Sequence, residues 1–113
     1  MHELGLLRGV VKAAVAAVAG KPGAIAAVGL RVGTLSGAVP QALEGAWPLA
    51  IAGTRLESAR LEIEPVPAAV YCPACQAEQP IDEFFALACP VCAAPTGALA
   101  RGREFQLAYV DLE

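Results

Sequence analysis

The sequence predicts an α+β fold, two helices on a three-stranded sheet with an inserted four-cysteine zinc-ribbon module. Three observations predict it. Apolar residues near the start recur at three- and four-residue spacing, the period of a helix. Three later segments, 25–32, 56–64 and 103–112, run apolar or alternate as strands do. Between the last two lies a stretch without sustained period that holds all four cysteines of the chain. At 113 residues the length suits one compact domain with at most a small appended module, which excludes a multidomain enzyme.

The first helix places Leu4, Leu7, Val11, Ala14, Val15 and Val18 on one face and Arg8 and Lys12 on the other. Gly20-Lys21-Pro22-Gly23 supplies a stop signal, so the helix is expected to end near Ala19. Residues 25–32 are apolar on nearly both faces, the mark of a buried strand. Gly33 and Gly37 flank a loop, and Pro40 fits the first turn of a second helix carrying Val39, Leu43, Ala46 and Trp47. Pro48 requires that helix to kink or to begin again.

Segment 56–64 ends in the alternation Arg60-Leu61-Glu62-Ile63-Glu64, and Pro65 and Pro67 are expected to terminate it. In the closing strand Phe105, Leu107 and Tyr109 face one way and Gln106, Ala108 and Val110 the other. The organisation expected is an α/β unit made of residues 1–68 and 102–113, interrupted by a cysteine-bearing unit at 69–101.

Composition narrows the function. Hydrophobic residues make up 57% but aromatics only 5%, so the core is built of small side chains. A net charge of -3 gives no basic footprint for nucleic acid or anionic lipid. The charge-free run 84–100 is broken by Pro90, Pro95 and Gly97 and falls short of the roughly 20 apolar residues of a spanning helix. Arg8 and Lys12 before an alanine-rich stretch, with Ala17-Val18-Ala19 as a cleavage-like tripeptide, admit a secretory signal. Glu3 and the amphipathic pattern favour a folded helix, and with it a cytoplasmic protein.

Cys72-Pro73-Ala74-Cys75 and Cys89-Pro90-Val91-Cys92 are two C-x-x-C knuckles. Two residues between thiolates let one tight turn present both sulfurs to a tetrahedral ion, and two knuckles complete a shell at about 2.3 Å per Zn–S bond. Disulfides suit a secreted framework, redox motifs rarely come as a matched pair, and iron accepts the same four thiolates. Structural zinc is the expected occupant, and a full shell leaves no open position for catalysis.

The only histidine is His2. A bulky second residue predicts that Met1 is retained. The terminus then offers the Met1 α-amine, the His2 imidazole and the main-chain nitrogens of His2 and Glu3 within a few bonds. A planar nitrogen chelate of this kind favours Ni(II) or Cu(II) over zinc, and the residues alone do not separate those two. His2 read by itself is equally a solvated terminal residue beside a Glu3 that favours the helix dipole. Because protons compete for these nitrogens, affinity is expected to fall as pH drops.

Met1-His2-Glu3-Leu4 opening a helix, the run Val32-Gly33-Thr34-Leu35-Ser36-Gly37-Ala38-Val39-Pro40-Gln41-Ala42-Leu43, the four-cysteine insert and Gly102-Arg103-Glu104-Phe105 together resemble the HypA/HybF family of hydrogenase nickel-incorporation proteins. The resemblance covers nearly the whole chain. It implies a cytoplasmic metallochaperone that binds Ni(II) through Met1, His2 and Glu3 and holds structural Zn(II) at Cys72, Cys75, Cys89 and Cys92. It further implies delivery to the [NiFe]-hydrogenase large subunit with a HypB-type GTPase, urease maturation proteins as additional partners in some organisms, and a monomer or weak homodimer. Neither nucleic acid nor membrane insertion is implied, and no residue set for catalysis is present. The competing function is a zinc-ribbon adaptor for protein or nucleic acid in which His2 is incidental.

Overall fold

The structure, a computed structural model, describes residues 2–82, 85, 87–97 and 99–113. Its elements follow the chain as α1 (Glu3–Ala17), β1 (Ile25–Gly33), α2 (Pro40–Ile51), β2 (Arg60–Val66), β3 (Ala69–Cys72), β4 (Ala77–Pro80), β5 (Leu99–Arg101) and β6 (Phe105–Leu112). They form two three-stranded sheets, ordered β2-β1-β6 and β4-β3-β5. β1 is central in the first, parallel to β2 across the α2 crossover and antiparallel to β6. Two helices on a three-stranded sheet is the expected architecture. The insert, whose sequence shows no period, carries a small antiparallel sheet of its own.

Helix α1 buries Leu7, Val10, Val11 and Ala14 against the β2-β1-β6 sheet and α2. It ends at Ala17, two residues before the expected stop, and Gly20 takes φ +82 in the turn that follows. The carbonyls released there are taken by Arg55, whose guanidinium donates to Val18 O (3.1 Å), Lys21 O (2.6 Å) and Gly23 O (2.9 Å). A cation is favoured at a helix C-terminus, and a planar fork with several donors can serve several carbonyls at once. Arg55→Ala is expected to lower stability by about 1–3 kcal/mol in urea unfolding, and Arg55→Lys to restore only part of it.

Helix α2 runs without a break from Pro40 to Ile51 with Pro48 inside it, so no restart occurs. Pro48 sits on the exposed face, and Glu44, whose carbonyl loses its usual helical donor to a proline four residues on, is exposed as well. The opposite face is held down by Leu43, Trp47, Ala50 and Ile51. Val39, grouped with that face in the sequence reading, is the extended N-cap residue and is exposed.

The strand expected at 56–64 begins four residues later and continues through Pro65. Residues 56–58 are turn: Leu56 is fully buried in the main core, and the Trp47 indole donates to Ala59 O at 2.9 Å. Pro65 is tolerated because β2 is an edge strand, where a missing N–H breaks no ladder.

In β6 the simple alternation also fails at one residue. The register steps from Leu30↔Leu107 to Gly29↔Tyr109, leaving Ala108 as a bulge. Beyond it Val110 and Leu112 join Phe105 and Leu107 against the core, while Tyr109 turns to the outer face and donates to Glu62. Its ring occupies the space a Cβ on Gly29 would take.

Candidate metal centres

The cysteine quartet is assembled by the second sheet and one loop. Cys72 ends β3, Cys75 lies in the turn into β4, and Cys89 and Cys92 lie in the loop ahead of β5. The two knuckles fold alike. In each, the residue after the second cysteine is left-handed, Gln76 at φ 55 and Ala93 at φ 64. In each, the second cysteine's N–H donates back to the first sulfur, Cys75 N to Cys72 Sγ at 3.3 Å and Cys92 N to Cys89 Sγ at 3.4 Å. The N–H of Val91 adds a further bond to Cys89 Sγ at 3.4 Å.

Four ligands at about 2.3 Å from a tetrahedral centre stand about 3.8 Å from one another. Here Cys72 Sγ and Cys92 Sγ are 3.5 Å apart, Cys75 Sγ and Cys89 Sγ 3.9 Å, and all four atoms lie within 4.8 Å. The quartet therefore fits zinc in donor type and in spacing. Cys72 and Cys89 are buried and Cys92 exposed, so the centre lies at the module surface with its inner ligands sealed.

The thiols do not share protons evenly. Backbone N–H donation, from Cys92 first and also from Val91, holds the Cys89 thiol down to about 7 against the opposing effect of burial. Contact with the Cys92 and Cys72 sulfurs pushes Cys75 up to about 12.

Of the three residues expected to hold nickel, Met1 lies outside the described residues. His2 is exposed at the N-cap of α1, its side chain making no capping bond while its carbonyl accepts from Leu6 N at 2.9 Å. Glu3 is the first residue of the helix. Among the described residues, the cysteine quartet is the group of three or more metal-ligating side chains that the fold gathers. The His2 site draws instead on donors adjacent along the chain.

Sequence reading missed the clasp that ties the cysteine module to the main sheet. Gly33 N donates to Glu104 O (2.7 Å), Thr34 N to Val66 O (3.0 Å) and Leu35 N to Gly102 O (2.8 Å), while Ala68 N donates to Thr34 Oγ1 (3.0 Å). Both strands linking the module to the sheet are gripped by three consecutive residues. Two glycines make the approach possible: a Cβ on Gly33 would fall on the Gly102 carbonyl, and Gly102 has φ +124 with Ala68 Cβ 2.6 Å from where its own Cβ would lie. The legible signal was Gly33, a glycine closing an apolar strand.

Fold and site together define a small α+β metal-binding protein with a closed four-thiolate module joined to a helix-and-sheet unit. Residues 1–112 match the family described as hydrogenase/urease nickel incorporation, metallochaperone, HypA. The chain belongs to that family. Similar relatives include the hydrogenase maturation factor HypA of Roseiflexus sp. (strain RS-1), 43% identical over 100% of this chain and 93% of that one. The factor of the same name from Chloroflexus aggregans is 40% identical over 98% of each. Among solved structures, the nickel metallochaperone HypA from Helicobacter pylori superposes with a TM-score of 0.68 at 16% identity, over 99% of this chain and 97% of that one. A second HypA solution structure gives 0.70 at 15%, over 100% and 97%. These likenesses establish the fold. The family carries nickel and structural zinc, and the quartet suits the second. No helix among the described residues is long and apolar enough to cross a membrane.

Proposed function

We propose that this chain carries Ni(II) at its N-terminus, bound by the Met1 α-amine, the His2 imidazole and the main-chain nitrogens of His2 and Glu3. It delivers that ion to the [NiFe]-hydrogenase large subunit in the cytoplasm with a HypB-type GTPase, and urease maturation proteins are the additional partners that some organisms call for. One observation carries the reading: in a chain matching a nickel-incorporation family along its length, the only histidine stands exposed at the head of α1, free of any capping bond. Nickel is cargo here, and a site at a chain end suits an ion that must be passed on.

Zinc at Cys72, Cys75, Cys89 and Cys92 organises the unit 69–101, leaving 1–68 and 102–113 for nickel. With every zinc position filled by thiolate, the protein is a carrier and not an enzyme.

Calorimetric Ni(II) titration of zinc-loaded, tag-free protein tests the reading. One-site binding is expected in the parent and is lost both in His2→Ala and in a form extended by one residue at the N-terminus, which displaces the α-amine. Binding that survives in both forms removes the terminus from the site and leaves the zinc-ribbon adaptor.

A further inference from the structure

Two clefts open where the cysteine module meets the main sheet. The larger, about 390 Å³, is walled among the described residues chiefly by Leu35, Phe85, Leu87 and Leu99, with Asp82 and Arg103 as its charged members. The smaller, about 250 Å³, has Pro67, Ala68 and Ile81 in its wall. Leu35 and Asp82 line both, so the two adjoin as one trough along the clasp. Ligand clefts of about 300–1,000 Å³ favour the seams between structural units and combine apolar walls with a few polar groups, as this trough does.

Folding explains neither Leu87 nor Arg103. Leu87 has φ 63, a backbone conformation that strains any residue with a bulky side chain, yet the leucine is 69% exposed and the fold buries little of it. Arg31, Arg60 and Arg101 each face a carboxylate, at 3.7, 3.1 and 2.6 Å. The Arg103 side chain is exposed and meets no hydrogen-bond or ion-pair partner among the described residues, whereas Asp82 is engaged within the chain. We propose that the trough receives an extended segment of a partner polypeptide patterned acid-x-apolar-x-apolar. An extended chain sends alternate side chains to one face, so one apolar group enters each cleft and the acid comes to Arg103. Arg103 lines the larger cleft alone, which puts the carboxylate on that side of the segment. Charge complementarity selects the acid, because an unpaired guanidinium grips a carboxylate through two parallel N–H bonds. The occupant spans the clasp at Leu35 and holds the module against the main sheet. This contact needs no nickel at the chain terminus.

Titration of the zinc-loaded full chain with acetyl-Glu-Ser-Leu-Ser-Leu-amide, and with the reversed sequence, tests the docking by methyl and amide NMR. One of the two peptides is expected to bind with a dissociation constant of about 1 mM or lower, shifting the signals of Leu35, Leu87 and Leu99. Glutamine in place of the peptide's glutamate weakens binding about threefold, the size of an exposed ion pair. Arg103→Gln removes the difference between the two peptides, which assigns the carboxylate to that side chain. Leu87→Gly weakens binding about fivefold by removing a wall. It should nevertheless melt at or above the parent, because glycine adopts φ 63 without strain, and this separates lost docking from lost folding. A parent that binds neither peptide at about 10 mM overturns the proposal. Binding indifferent to the glutamate and to Arg103, or shifts centred elsewhere in the molecule, also overturns it.

Discussion

Cys72→Ser is expected to abolish zinc retention and to collapse the second sheet while leaving the first folded. Two features of the structure set this result apart from general unfolding. The module has little else to hold it: among the described residues, those buried in it are Ala69, Val70, Cys72 and Cys89, too few to offset the entropy of ordering some thirty residues at about 1–2 kcal/mol each. Structural zinc in small domains contributes on the order of 10 kcal/mol, and removing one ligand of four forfeits most of it. The main core, by contrast, is drawn from α1, β1, α2, the turn before β2 and the inner face of β6, with no described residue of the module in it. Amide spectra should therefore lose dispersion for residues 69–101 and keep it for the helices and β1, and metal analysis should find no bound zinc. Uniform loss of dispersion, or retained zinc, would contradict this. Acid acts in the same direction. All four thiols must give up protons to the metal, so zinc loading weakens as pH falls.

Gly33→Ala should destabilise the protein by about 3 kcal/mol or more, a large fraction of the 5–15 kcal/mol typical of a domain. The added methyl meets backbone, the carbonyl of Gly102 and Arg103 N at 2.7 Å, and backbone has no rotamer to escape into. Relief requires the two segments to part, which breaks the bonds from Gly33 N to Glu104 O and from Leu35 N to Gly102 O. Gly9→Ala is the matched control. It lies on a helix with open space about it, and alanine there should stabilise by up to about 1 kcal/mol. Denaturant melts of the two variants should thus shift in opposite directions, and a Gly33→Ala midpoint equal to the parent's would sink the clasp as described.

The features legible in the sequence were those whose cause is local. The face of α1 follows from residues three and four apart, the burial of β1 from an apolar run broken only by Arg31, and the sulfur quartet from two knuckles of fixed spacing. His2 was legible as a candidate because its donors are neighbours along the chain, which needs no fold to assemble them.

What the sequence by itself determined, then, was the two helices, the three strands of the main sheet to within a few residues, and which cysteines meet. Tertiary structure alone decided the rest, because each remaining feature depends on what stands opposite. Tyr109 leaves the core side because Gly29 offers its ring a place and Ala108 bulges to turn it there. Leu56 is core without being strand because the Trp47 indole holds Ala59 at the end of a turn. Pro48 and Pro65 are tolerated because one faces water and the other lies on an edge strand. Gly33 and Gly102, distant in sequence, are coupled because two backbones pass there with no room for a side chain between them. Periodicity reports the environment of a residue within its own element, whereas contact between elements depends on the shapes of both.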